Sequence, residues 1–323
     1  MKLVGDYHIH SNNSRFKLSK SSVEDIIKRA NMVGLYEIAI TDHGYNHFYA
    51  ANKQKLLQSR EIIKELSDSL NIRVMLGIEA DIISKDGTLD VDQETLDNID
   101  LLTIGYHKMI KTDFASYFGR QKNTKQAIDD ATNAYINAIK RYNVDVVAHP
   151  NHIIKVDLYR LGRVCAENDV LIELNNRHCN YTESEMQELL RSDCKFIVSS
   201  DSYSLESIGK VDKALALVEK YKIPANRVIN VYFPGAEYDE ATSEYDEQIE
   251  RDKQKLIEYY EKYGDIGGRE LSSETERKLR EIADEKGLTM SKIEEDYLYI
   301  LTDEERDLLK RAEEYIKNHK DKK

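Results

Sequence analysis

The feature that most constrains this chain is a sevenfold alternation of short apolar runs with helical patterns across its first 235 residues. Strand candidates are Leu3–His10, Glu37–Asp42, Arg73–Asp81, Leu101–His107, Asp145–His149, Val170–Asn175 and Lys195–Ser200. Helical patterns fall between them at Ser22–Met32, Ala51–Leu70, Lys125–Arg141, Leu158–Glu167, Glu183–Leu190 and Glu206–Tyr221. The runs LLTIGY and KFIVSS are almost wholly apolar, which suits a sheet covered on both faces. Alternation of this kind predicts parallel strands. Seven repeats predict an α/β fold, a closed or nearly closed TIM-like (βα)7 barrel. An open doubly wound sheet is the alternative, but no GxGxxG follows the first strand, so its dinucleotide-binding version lacks support. Ser22, with Asp25 three residues on, gives the first helix a capping-type start.

Asn226–Phe233 reads as a last strand or strap, and Pro234-Gly235 punctuates it. Beyond lies a Glu/Lys/Tyr-rich stretch with helical periodicity, broken at Gly264 and at Gly267-Gly268. It predicts helices near Glu240–Tyr263, Ser273–Lys286 and Asp303–His319. The expected organisation is therefore a barrel over 1–235 and a helical extension over 236–323. The chain carries a net charge of −12, and the extension alone holds 27 acidic against 17 basic residues. The barrel is close to neutral, with no clustered basic groove, which argues against a nucleic-acid partner. The stretch LREIADEKGLTMSKIEE faintly resembles a helix-turn-helix, but Glu294, Glu295 and Asp296 make its second helix a poor face for DNA.

No apolar run approaches the ~18 residues needed to span a bilayer. Two histidines stand in MKLVGDYHIH where a signal peptide would carry its apolar segment, and Cys165, Cys179 and Cys194 show no CxxC spacing. Reduced thiols and a cytoplasmic location are the expectation. Nothing in the sequence sets the oligomeric state.

Of nine histidines, five sit at or just past the end of a predicted strand: His8, His10, His43, His107 and His149. In parallel barrels that rim is where catalytic groups gather, because the loops converge there. In VGDYHIH, alternation would put Asp6, His8 and His10 on one face and Gly5, Tyr7 and Ile9 on the other. The two imidazoles could then ligate one metal ion, with Asp6 behind them fixing a tautomer. Asp42 and His43 close the second strand in ITDHGY. Glu79 lies on an apolar strand in LGIEAD, where burial is costly unless a cation meets it. Asp81 follows on the same face. His107 and Lys108 end IGYHK, His149 ends DVVAHPNH with His152 beyond it, and Asp201 follows VSS.

Taken together, DYHIH, ITDHG, GIEAD, GYHK, VVAHPN and SSDS resemble the PHP family, the polymerase and histidinol phosphatase superfamily, over roughly residues 1–233. The resemblance implies a metal cluster at the strand ends of a distorted seven-stranded barrel. His8, His10 and Asp201 would hold a first ion. Glu79 would bridge to a second, held also by His107 and His149. Family members hold a third ion through a histidine after the HxH pair, the histidine of TDH and a histidine two residues past the last aspartate. Here His43 is kept, but Phe16 and Tyr203 stand at the other two positions. Two divalent ions are expected, with the third site degraded and His43 left free to protonate a leaving group.

Imidazole and carboxylate donors suit zinc, manganese or iron better than calcium. Two ions bridged by a carboxylate can share a hydroxide that is nucleophilic at neutral pH. Arg15, Lys108, Arg120, Arg177 and His178 follow strands and are the expected phosphate- and substrate-binding groups. His152 and His47 are further candidates for the mouth. ELNNRH, which carries Arg177 and His178, is similar to the family's glutamate-and-asparagine segment. Tyr7 and Tyr106 are expected to pack between strand and helix. The expected activity is metal-dependent hydrolysis of a small phosphorylated metabolite, of histidinol-phosphatase type. A PHP-type nuclease or phosphodiesterase, and a degenerate metal-binding scaffold with little turnover, are the alternatives.

Overall fold

The computed structural model describes residues 1–14, 19–70, 72–122 and 124–234. Arg15, Phe16 and the three helices expected in the C-terminal extension lie outside the described residues. The strands are β1 Lys2–Leu3, β2 Gly5–Ile9, β3 Glu37–His43, β4 Arg73–Asp81, β5 Leu101–Gly105, β6 Val146–Val147, β7 Leu171–Asn175, β8 Phe196–Ser199 and β9 Val231–Tyr232. The helices are α1 Val23–Met32, α2 Lys53–Leu70, α3 Gln93–Leu96, α4 Lys125–Arg141, α5 Leu158–Glu167, α6 Glu183–Arg191 and α7 Asp212–Lys220.

Strands β2 to β8 form one parallel sheet in sequence order. Its two outer strands meet. Ile9 and Ser202 form a parallel bridge, and His10 N–H donates to Ser202 O (2.8 Å) while Ser202 N–H donates to His8 O (3.0 Å). Lower down, the buried Asn230 amide donates to Gly5 O (2.7 Å) and Val198 O (2.6 Å), and its carbonyl takes Val198 N–H (2.9 Å). One side chain thus satisfies backbone groups of both edge strands that the ladder leaves open. The result is the nearly closed TIM-like barrel expected from the alternation.

The floor of the interior is apolar. Tyr7, Ala39, Met75, Leu101, Val146 and Ile197 pack in one cluster with Leu171, so each of the seven barrel strands contributes one side chain. Tyr7 is the unexpected member. The register of β2 against β3 shifts between Asp6 and Ile9, an irregularity that breaks strict alternation. Tyr7 therefore enters the interior cluster beside His8, and its hydroxyl donates to Glu37.

Helix ends follow their chemistry. Ser22 with Asp25, and Thr182 with Glu185, form reciprocal capping boxes at α1 and α6. Asp157 and Thr124 cap α5 and α4. Such caps contribute about 1 kcal/mol each. The helix expected over Glu206–Tyr221 is corrected to a 3-10 turn at Leu205–Ser207 followed by α7. Gly209 interrupts it at φ +74, and its N–H leaves the helical pattern to bond the Asp6 carboxylate (2.9 Å). The strap at 226–233 reduces to β9, paired antiparallel with β1. The three cysteines are unpaired, and no helix among the described residues is long and apolar enough to cross a membrane.

Candidate metal centre

Above the apolar floor the same strands turn polar. His8 comes from β2 and His10 from just past it, His43 from the end of β3, Glu79 from β4, His107 and His149 from just past β5 and β6, and Asp201 from just past β8. Glu79 is fully buried at the centre. Its Oε2 lies 3.3 Å from His8 Nε2, 3.7 Å from His10 Nε2 and 2.8 Å from His43 Nδ1. Its Oε1 lies 2.9 Å from His149 Nε2 and 3.4 Å from His107 Nε2. Asp201 Oδ1 stands 3.5 Å from His10 Nε2 and 3.8 Å from His8 Nε2.

The informative atoms are those without partners. Among the described residues, His8 Nε2, His10 Nε2, His43 Nδ1, Glu79 Oε2 and Asp201 Oδ1 are buried side-chain atoms with no hydrogen bond. His43 Nδ1 lies 2.8 Å from Glu79 Oε2, the closest approach among these atoms. Orphaned buried polar atoms each cost on the order of 1–3 kcal/mol, so five converging on one point mark a place built for something else. Among the described residues four triads, His8/His10/Asp201, Glu79/His107/His149, His10/His43/Glu79 and His43/His47/His107, each bring three donor atoms within 4.8 Å of one another. The far nitrogens are already held. His8 Nδ1 is 2.7 Å from Glu173 Oε1, and His107 Nδ1 is 3.0 Å from Asp81 Oδ1. That is the outer-carboxylate arrangement that fixes a metal-ligating imidazole. The residues present therefore fit a divalent metal cluster.

Two of the seven non-glycine residues with positive φ among the described residues lie here. His149 and Asp201 adopt φ of +28 and +53, a region that costs a residue with a side chain on the order of 1–3 kcal/mol. His149 is held there by its N–H, which donates to Glu173 Oε2 (2.8 Å). The electrostatics follow from crowding. Burial alone would raise the Glu79 carboxyl, but His107, His8 and His43 outweigh it and hold its pKa well below the usual range. Burial opposes a charged His107, yet Glu79 and Asp81 push its pKa up to about 10. The central carboxylates demand positive charge.

The chain matches the PHP domain family over residues 6–247. This chain belongs to the PHP domain family. Among PHP relatives, a probable phosphatase of Acetivibrio thermocellus is 28% identical over 265 residues, covering 79% of this chain and 99% of that protein. A probable phosphatase of Shewanella loihica is 27% identical over 242 residues, covering 71% and 90%. Among solved structures, the histidinol phosphate phosphatase of Lactococcus lactis subsp. lactis, complexed with zinc, L-histidinol and phosphate, is 18% identical. It aligns with a TM-score of 0.49 over 68% of this chain and 94% of its own.

Not every site expectation from the sequence meets the geometry of this PHP barrel. Asp6 does not stand behind the histidines; its carboxylate takes the N–H groups of Ser200 (3.0 Å) and Gly209 (2.9 Å), and Glu173 holds His8 instead. His43 is not a free imidazole. It is buried, with Nδ1 against Glu79 and Nε2 3.0 Å from the Tyr203 hydroxyl, and burial, followed by the electrostatic effect of the neighbouring His10, pushes its pKa down to about 3. Tyr203 stacks on His10 at 4.1 Å between ring centroids, and burial drives its phenol pKa far up.

Arg177 reaches the cluster, with Nη1 3.7 Å from Asp201 Oδ1 and its guanidinium 4.5 Å over the Tyr203 ring. His178 Nε2 lies 3.4 Å from Asp201 Oδ2 and its ring stacks on His152 at 3.7 Å. Lys108 and Arg120 are exposed in the loop after β5, and no ion pair joins them to the cluster among the described residues. Three residues received too little weight from the sequence: Glu173, Asn175 and His47. Glu173 is a fully buried glutamate on an apolar strand, the same signal that singled out Glu79. Asn175 Nδ2 ties Glu173 (3.0 Å) to Asp201 (3.1 Å).

Proposed function

We propose that this PHP chain is a metal-dependent phosphoric monoester hydrolase acting on a small phosphorylated metabolite. The observation that carries the reading is the convergence of five buried, unpartnered ligand atoms, one of them Glu79 Oε2, at the rim of a parallel barrel. In this reading His8, His10 and Asp201 hold one divalent ion, and His107 and His149 hold a second, with Glu79 between them. Zinc, manganese or iron suits these donors. Two such ions, when bound, supply Lewis-acid charge for the phosphoryl oxygens and lower the pKa of water.

The chain's own residues do the rest. Glu173 and Asp81 hold His8 and His107 in the tautomer that leaves Nε2 open toward the cluster. Asn175 and His178 keep Asp201 aimed inward. Arg177, exposed on one side and next to Asp201 on the other, offers guanidinium N–H groups to an arriving phosphate. Because His43 is buried and neutral, we assign it to shaping the cluster around Glu79, and leaving-group protonation falls to solvent. Tyr203, a neutral phenol, is a weaker donor than an imidazole, so of the four donor groups we assign ions to the two without His43, which Tyr203 contacts. Beside the cluster, Asn151, His152, Lys155, His178 and Glu185 line a cavity of about 260 Å³, which suits the polar leaving group of a small metabolite. The histidinol-phosphatase type of substrate is one member of that class.

The test is hydrolysis by metal-loaded protein of p-nitrophenyl phosphate against its bis-ester and against a panel of phosphorylated metabolites. Turnover of the monoester with little of the bis-ester supports the reading. Preference for the bis-ester would move it to the phosphodiesterases.

A further inference from the structure

Just outside the cluster stands a histidine that the ligand set leaves unused. His47 lies in the loop after β3. Its ring centroid is 3.7 Å from that of His43 and 4.9 Å from that of His107, and a nitrogen of each of the three lies within 4.8 Å of the others. Unlike the buried His8, His10 and His43, it is partly exposed. It therefore stands on a side of the cluster that solvent can reach.

Proximity alone would suggest a further metal ligand, but its hydrogen bonding argues otherwise. The backbone N–H of Tyr49 donates to His47 Nδ1 (3.2 Å). A backbone N–H can only donate, so Nδ1 must carry the lone pair, and the proton of the neutral ring sits on Nε2. A nitrogen that bears a proton cannot ligate a metal; it can only give a hydrogen bond. The opposite arrangement holds at His8 and His107, where carboxylates receive the Nδ1 proton and leave Nε2 bare. The loop that carries His47 is also braced. Gly44 N–H donates to Glu79 O (2.8 Å), Ala51 N–H to His43 O (2.9 Å) and Asn46 N–H to the buried Asp90 carboxylate (2.8 Å). Gly44 is pressed so closely on Asp90 that an added Cβ would lie 2.1 Å from Oδ1. A donor held this way is preorganised before ligand arrives.

We propose that His47 is a phosphate-binding residue whose Nε2–H donates to a phosphoryl oxygen seated on the metal cluster. The proposal rests on the phosphatase reading. Its test uses the full chain loaded with zinc and inorganic phosphate as the probe, with binding followed by titration calorimetry and metal content by elemental analysis. His47→Ala should keep the metal content of the parent and bind phosphate about tenfold more weakly or worse, as expected for loss of a donor to a charged group. His47→Gln, whose amide can donate from a similar place, should recover much of that loss. Loss of a metal equivalent in His47→Ala, or unchanged phosphate affinity, would overturn the proposal while leaving the phosphatase reading intact. A metal-loaded parent protein that binds no phosphate would overturn both.

Discussion

At the N-terminal end of the barrel interior, Tyr7, Ala39, Met75, Leu101, Val146 and Ile197 fill the space with mostly apolar atoms. Further along the same strands, His8, His43, Glu79, His107, His149 and Asp201 fill it with ionisable ones. Both layers are largely buried, with His107 partly exposed, yet they are balanced differently. The floor is close-packed and needs nothing further. The rim carries orphaned nitrogens and oxygens, two strained backbone residues and a buried carboxylate that only positive charge can satisfy. The floor is organised for folding, and the rim gives up stability to hold a charge that the protein itself does not supply.

The sharpest way to break this contrast is at Glu79. Glu79→Gln keeps the shape and removes the charge, and monoester turnover should fall by on the order of a hundredfold or more. Near-normal turnover with metal still bound would remove Glu79 from the centre of the account. A change in the floor should do the reverse. Met75→Ala should lower unfolding free energy by about 2–5 kcal/mol in a denaturant titration, while kcat per folded, metal-loaded chain stays close to that of the parent. If metal content fell in step, the two layers would not be separable. The smallest effect is expected at the edge of the rim. Arg177→Ala should raise KM for p-nitrophenyl phosphate by about tenfold with little change in metal content, as for loss of a charged donor. An unchanged KM would return Arg177 to the role of a partner for Asp201 and Tyr203.

The two layers were also unequally legible in the sequence. The barrel could be read from apolar runs alone, and β4, α4 and α5 agree with expectation to the residue, because long periodic segments carry the strongest signal. The rim could be read as far as residue type and strand end determine it. His8, His10, Glu79, His107, His149 and Asp201 do converge. What could not be read depends on departures from ideal geometry. One register shift in β2 sends Tyr7 inward and turns Asp6 toward the closing strand, so alternation misassigned both. His43 was expected to be free because its partners in the family pattern are replaced. The structure encloses it between Glu79 and Tyr203, contacts that span distant parts of the chain and leave no local trace. Arg120 and Lys108 follow a strand, as Arg177 does, but strand order does not say how far a loop carries its side chains from the rim. His47 could be placed near the mouth, but its tautomer depends on a backbone N–H two residues away.

Whether the rim holds two ions is decided by elemental analysis of the purified chain after exhaustive dialysis, with the ions located by anomalous diffraction. Two tightly held divalent ions per chain are expected, one at His8, His10 and Asp201 and one at His107 and His149, with Glu79 shared. A dialysed, folded protein that holds no metal would contradict this, as would three full ions with His43 and Tyr203 both bound to the third.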